Sequence, residues 1–336
     1  MEDAHITETK ISARDLSGET VLDLPGHAVF GVFDGHGGSF AAIYSGRNFC
    51  RVLCSRQQFF QYASQTSAQR ENDPNSLSML KEALRAAFID LDLEIACTLK
   101  GQHVEGADQS FSLADAGPGS QDTSAQVTED GEPTLRLIQQ ESNAGTTACI
   151  VLITPTHIIC ANAGDSRSVL SRNSNIVVPL SFDHKPENEE EEKRIRAAGG
   201  YVACGRVDSD LSVSRGLGDF RHKNMGVVMK ESIQPGQTSS VQRPEDQKVS
   251  PVPDFVIEKR NELHDEFVMI ACDGIWDVRS NDEGIKLVAD IFEEGETDVG
   301  LMCEEVRTDK VPSLLALLTL GIRCVMNAFS SAVKII

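Results

Sequence analysis

The sequence predicts an α+β protein, and three observations carry that expectation. Apolar runs of strand length recur at residues 27–33, 148–153 and 267–271. Two pairs of such runs lie either side of short polar turns, the spacing of antiparallel hairpins. Two long stretches in the first hundred residues instead read as helices, the second placing its apolar side chains every three or four positions, the helical period.

Residues 1–34 read as short extended segments, the last of them closing at Asp34-Gly35. Residues 39–60 and 76–99 read as helices. In the second, Leu77, Leu80, Leu84, Ala87, Phe88, Leu91 and Ile95 form one apolar stripe, which is core packing and not chemistry. Ser76 is the expected N-cap. Residues 100–142 are rich in Gly, Ser, Asp, Gln and Thr, with Pro118 and Pro133, and read as a long flexible insertion within a domain. Order returns at Gly145. Residues 148–153, a turn at 154–156 and residues 157–161 form one hairpin, and 168–170 with 176–178 form a second. Residues 189–196 open on four acids, continue into bases and meet Gly199-Gly200, as in a surface helix that complements its own dipole, with its charged face solvated. Residues 230–253 are loop-like again. A strand at 267–271 ends in Asp273-Gly274, and 282–292 reads as a helix. Residues 311–322 are almost wholly apolar before Arg323 interrupts. A membrane span needs about 20 apolar residues, so a buried helix is expected there and not an anchor. No internal repeat is present.

Charge narrows the function. The 336 residues carry 31 Lys+Arg against 51 Asp+Glu, a formal charge of −20. Nothing in that balance would neutralise phosphates along a nucleic-acid groove or dock on an anionic membrane. It suits a protein that binds divalent cations through carboxylates. The nine cysteines include no Cys-x-x-Cys pair. They read as buried reduced thiols of a cytoplasmic or nuclear protein, without zinc-ligand spacing. The acidic start, with Glu2 and Asp3, reads as neither a secretory signal nor a myristoylation site.

The informative chemistry is acidic residues at strand ends: Asp34 before Gly35, Asp165 after Gly164, and Asp273 before Gly274. Singly, each is ordinary turn chemistry. Delivered together to one rim they would repel, and removal from water would add to that cost, so a cluster needs cations to persist. Oxygen ligands without a Cys/His set select a hard ion, Mg²⁺ or Mn²⁺. No EF-hand loop is present. His36 follows directly after Asp34-Gly35, placing an imidazole suited to proton transfer beside that site. There is no dinucleotide fingerprint, P-loop or nucleophile elbow.

Eight ordered segments together resemble the metal-dependent Ser/Thr protein phosphatases of type 2C. They run from Glu2-Asp3, Asp34-Gly35-His36-Gly37-Gly38 and Gly145-Thr146-Thr147 through Gly164-Asp165-Ser166-Arg167. They continue with Asp183-His184-Lys185-Pro186, Ala198-Gly199-Gly200, Ser214-Arg215 through Gly218-Asp219-Phe220, and Asp273-Gly274-Ile275-Trp276-Asp277. The resemblance covers residues 1–292, which it marks as a catalytic domain, with 230–253 as a flap loop and 293–336 as an atypical apolar tail. It implies two packed antiparallel β-sheets flanked by helices. It implies a binuclear Mg²⁺ or Mn²⁺ centre, with a third, weaker site, at one edge of that sandwich. By motif match Asp34 bridges both ions, Glu2 and the Gly35 carbonyl serve one, and Asp273 serves the other. Asp3 orients a bound water, Asp165 belongs to the weaker site with Asp277 as helper, and His36 is the general acid. The implied activity is hydrolysis of phosphoserine and phosphothreonine in proteins by a metal-bridged hydroxide, in a monomer whose partners are its phosphoprotein substrates.

Two departures keep an alternative open. The family places a phosphate-binding Arg shortly before its Glu-Asp pair, and an Asp-Asn segment after the residue matched by Asp273; neither occurs in this sequence. Asp298 and Asp309 are the candidates to replace that later Asp. The alternative is a catalytically impaired phosphatase fold that binds phosphoproteins or a regulatory partner.

Overall fold

The structure is a computed structural model and describes residues 2–102, 104–108, 143–224, 242–308 and 315–318. Most of the expected 100–142 insertion, the first part of the 230–253 loop and most of the apolar tail lie outside those residues. The first third of the chain lays down β1 (Ala4–Glu8), a small hairpin of β2 (Ser12–Arg14) and β3 (Val21–Asp23), then β4 (Ala28–Phe33) and β5 (Gly35–His36). Helices α1 (Phe40–Cys54), α2 (Gln57–Ser64), α3 (Ser67–Asn72) and α4 (Pro74–Leu99) follow. The middle supplies β6 (Gly145–Thr146), β7 (Ala148–Ile153), β8 (His157–Ala163), β9 (Arg167–Arg172) and β10 (Ile176–Pro179). A helix at Glu189–Ala197 precedes β11 (Val202–Ala203), β12 (Arg206–Val207) and β13 (Leu217–Gly218). The last part holds β14 (Asp254–Lys259), β15 (Asp265–Ala271), helices at Asp273–Trp276, Asn281–Glu293 and Val299–Thr308, and β16 (Leu315–Leu318).

Two antiparallel sheets form the frame, in the orders β1-β4-β7-β8-β14 and β10-β9-β15-β16. Successive side chains of a strand point to opposite faces, and here both faces of each sheet are covered. From β4, Phe30 and Val32 meet Cys149, Val151 and Cys160 of the same sheet and Leu170, Val268 and Ile270 of the other, which is the layer between the sheets. The alternate residues Val29 and Phe33 turn outward with Ile150, Leu152 and Ile159 against Phe49 of α1 and Leu84, Phe88 and Leu91 of α4. On the far side Val169, Met269 and Ala271 pack on Ile285 and Val288 of one helix and Met302 and Val306 of the next. The result is helix, sheet, sheet, helix. Burial on two faces is why these strands read as continuous apolar runs and not as alternation.

Both expected hairpins form, as β7–β8 and β9–β10. Elsewhere the structure differs in detail. The helix expected over 39–60 breaks at Ser55-Arg56, where the Ser55 hydroxyl donates to the Val52 carbonyl (2.9 Å) and Arg56 turns extended. The helix expected from 76 begins at Pro74, and its N-cap is Asp73, whose carboxylate accepts the Asn75 N–H (2.8 Å). Proline at the first helical position fixes the start. Ser76 lies buried within the first turn, donating to Gln65 Oε1 (2.8 Å). The charged face of Glu189–Ala197 is not wholly solvated: Glu191 is buried and paired with Arg194 (2.6 Å) and Arg215 (2.7 Å). Within the apolar tail, Leu315–Leu318 is not helical but an edge strand on β15. Cys149, Cys160, Cys272 and Cys303 are buried thiols, whereas Cys204 is exposed on a turn. Among the described residues no helix is long and apolar enough to cross a membrane.

Candidate metal centre and active site

The site forms where strands of both sheets end. Asp34 follows β4 of the first sheet, Asp273 follows β15 of the second, and Asp165 sits on the β8–β9 connection that passes from one to the other. One carboxylate oxygen from each of the three lies within 4.8 Å of the others. Local hydrogen bonds fix the backbone under them. The Asp34 carbonyl accepts the Thr147 N–H (2.9 Å) and the Thr146 hydroxyl (3.0 Å), while the Asp34 N–H donates to Thr147 Oγ1 (3.2 Å). Thr147 also bonds Ser166 (2.7 Å), tying the Asp34 turn to the Asp165 turn. Gly164 has φ +123°, and a side chain there would collide with Thr147, which is why glycine precedes Asp165.

The N-terminal strand closes the cluster from one side. The Gly35 N–H donates to Asp3 Oδ1 (3.2 Å), and the Gly38 N–H to Glu2 Oε2 (3.4 Å). A Cβ on Gly35 would overlap the Glu2 backbone, so only glycine lets the two segments approach. Glu2, Asp3, Asp34 and Gly35 are thus neighbours.

Electrostatics makes this an unstable arrangement by itself. Burial, then the charges of Asp273, Asp3 and Asp165, push the Asp34 carboxyl up to about 8. Burial also raises Asp3, against the hydrogen bonds it receives. Asp165 is raised by burial as well, although the Lys185 ammonium at 2.6 Å pulls it back. Carboxylates in this state are relieved by a hard divalent cation, and an all-oxygen set fits Mg²⁺ or Mn²⁺ better than zinc.

His36 stands at the edge of the same cleft, which has a volume of about 450 Å³ and is also lined by Asp34, Asp165, Asp273, Arg206 and Arg221. Its Nε2 lies 2.9 and 3.0 Å from the two oxygens of fully buried Asp219. Burial lowers the imidazole's proton affinity, but the Asp219 carboxylate, with Asp34 and Asp165 behind it, outweighs that and raises it overall. Trp276 holds the Asp273 turn, its indole N–H donating to the carbonyls of Ala271 (2.9 Å) and Arg167 (3.2 Å).

Asp298 is elsewhere: its carboxylate accepts the Gly300 N–H (2.8 Å) at the start of the Val299–Thr308 helix. Asp309 lies outside the described residues. Four residues of the site carry no expectation from sequence: Asp219, Lys185, Arg206 and Arg221. Asp219 and Lys185 stand inside recognisable segments, but no spacing indicates which group each one faces.

The frame agrees with comparison to known proteins. The family model for protein phosphatase 2C matches residues 96–311. A probable protein phosphatase 2C of Caenorhabditis elegans is 33% identical over 85% of this chain and 60% of its own length. Protein phosphatase 2C homolog 2 of Schizosaccharomyces pombe is 33% identical over 86% of this chain and 58% of its own. A probable protein phosphatase 2C of Paramecium tetraurelia is 32% identical over 86% and 72%. In structure, a serine-threonine phosphatase 2C from Toxoplasma gondii aligns with a TM-score of 0.60 at 17% identity, over 92% of this chain and 89% of that one. The chain belongs to the protein phosphatase 2C family, whose members are metal-dependent. It spans about three fifths of the length of the nematode and fission-yeast relatives.

Proposed function

We propose that the chain hydrolyses phosphoserine and phosphothreonine in proteins, using Mg²⁺ or Mn²⁺ held by Asp34 and Asp273, with Glu2, the Gly35 carbonyl, Asp3 and Asp165 completing the set. The observation that carries this reading is the convergence of three carboxylates within 4.8 Å beside a histidine–aspartate pair in one cleft. When bound, such ions supply a lowered pKa for water and offset charge on phosphoryl oxygens. The protein's own groups supply the rest. Asp3, Asp34, Asp165 and Asp273 bring negative charge that repels a bare phosphate, so substrate binding depends on the cations. Arg206 and Arg221 line the cleft and offer guanidinium groups to an anionic substrate. With Nε2 committed to Asp219, the other ring nitrogen of His36 remains to protonate the departing Ser or Thr oxygen. The catalytic domain is proposed as residues 1–292, with a monomer acting on phosphoprotein partners.

The second reading, an impaired phosphatase fold that binds phosphoproteins, rests on the sequence, in which no Asp-Asn segment follows Asp273. The deciding assay follows release of phosphate from a phosphothreonine peptide with Mn²⁺ or with chelator, for wild type, Asp34→Ala and His36→Ala. Mn²⁺-dependent turnover that disappears in Asp34→Ala supports the enzyme. A folded wild type that binds the peptide but releases no phosphate overturns it in favour of the second reading.

A further inference from the structure

Asp92 lies in α4, far along the chain from any residue of the site, and is a buried acid in an otherwise apolar stripe. Its Oδ1 accepts two hydrogen bonds, from the Gly218 N–H (2.7 Å) and from Lys223 Nζ (2.7 Å). The Lys223 side chain is 1% exposed and also donates to the Gly216 carbonyl (2.9 Å). Its ammonium lies 5.5 Å from the centre of the Phe220 ring. The pair therefore grips the turn at 216–223 from within, at both ends.

What that turn presents is Asp219. The residue has φ +52°, the left-handed region that few residues other than glycine, Asn and Asp occupy. Its N–H donates to the Ala144 carbonyl (3.0 Å), and its carboxylate receives His36 Nε2. Gly218 has φ +81°, and a Cβ on it would overlap Ala144 O, so only glycine lets the turn approach Ala144 this closely. The chain of contact runs from Asp92 and Lys223 to Gly218, Asp219 and His36.

A buried ion pair is a poor stability device. Desolvation takes back much of the attraction, and in many proteins an apolar pair of similar size replaces such a pair at little or no cost. An apolar pair cannot, however, hold two backbone groups of a turn. We propose that the Asp92–Lys223 pair is a positioning device for catalysis: it holds Asp219 against His36 and so sets the direction in which the imidazole delivers its proton. This rests on His36 being the proton donor of the proposed reaction.

The test exploits the leaving group. Threonine alkoxide needs a proton to depart, whereas p-nitrophenolate does not, so a misplaced donor harms the first substrate more than the second. The variants are Asp92→Asn and the apolar double variant Asp92→Leu/Lys223→Met, the latter keeping the volume filled if the first is unstable. The expected result is a fall of roughly tenfold in the ratio of kcat on phosphothreonine peptide to kcat on p-nitrophenyl phosphate, set against the 10²–10⁴ range of acid catalysis. A second readout needs no turnover. In the ¹H–¹⁵N imidazole spectrum of the full chain, the His36 Nε2–H bonded to Asp219, assigned by its absence in His36→Gln, is expected to be lost or shifted in the double variant. An unchanged ratio with an unchanged resonance overturns the proposal, as does a proportional loss on both substrates. If wild type turns over neither substrate, the phosphatase reading fails by itself. The resonance then still decides whether the ion pair places Asp219 on His36.

Discussion

Gly145 shows how little room the site leaves at the level of single residues. A methyl group there would overlap both Asp219 and His36. Gly145→Ala is expected to cost about 1–3 kcal/mol by overpacking, and to lower phosphothreonine turnover more than the stability loss explains; urea unfolding and peptide assays check this together. Asp34→Asn should do the opposite in chelator, raising Tm by a few degrees because it removes a charge that its neighbours oppose. The same variant should lose the rise in Tm that Mn²⁺ gives the wild type. His27 supplies a pH dependence. It is buried against Tyr62 (2.7 Å), and burial lowers its pKa to about 4. The neutral ring is the one the fold favours, so protonation favours unfolding. About 3 kcal/mol is present above pH 6.5 and lost as pH falls towards 4, a slope that His27→Gln should remove from denaturation curves. Asp34, His36, Asp165 and Asp273 were legible because each stands next to a glycine at the end of an apolar run. Asp219 was not, because its partner is 183 residues away and its role depends on a left-handed backbone.

Among the elements, α4 supplies a long apolar stripe to the core on the first sheet and, within that stripe, one buried acid, Asp92. Leu84 is fully buried between that sheet and α1, so Leu84→Ala should cost about 2–5 kcal/mol in chemical denaturation. Asp73→Ala removes the cap of the same helix and should cost about 1 kcal/mol. The helix itself was readable from its three-and-four periodicity. Its true start was not, because Asp73-Pro74 and Ser76 both look like first-turn residues and only geometry separates them. The strands were readable as apolar runs, but a run buried on both faces carries no alternation to say which face meets which layer. Glu191 illustrates the converse. In a row of four acids nothing marks the one that turns inward to two arginines.

At the level of the whole molecule, 51 acids against 31 bases surround a cleft whose own lining includes Arg206 and Arg221. Long-range attraction should favour substrates with basic residues flanking the phosphate. Their kcat/KM is expected to fall as salt is raised from low to physiological strength, while that of acidic-flanked peptides rises or stays level. The packing of two sheets between helices came from the order of eight motif segments and not from periodicity. Local patterns specify elements, whereas the pairing of β4 with β7 or β9 with β15 spans more than ninety residues that no local signal bridges.

The three acids arrive from both sheets and from the connection between them, which makes the site a rivet through the sandwich as much as a surface feature. A cation bound there would draw both sheet edges toward a common point, and its removal would release them together. Amide exchange should report this as a shared opening unit: chelation ought to speed deuterium uptake in β4 and β15 by the same factor, while β10, at the outer edge of its sheet, changes little. Purification in strong chelator would then yield a looser molecule throughout its centre, more open to proteases, and not merely an empty one.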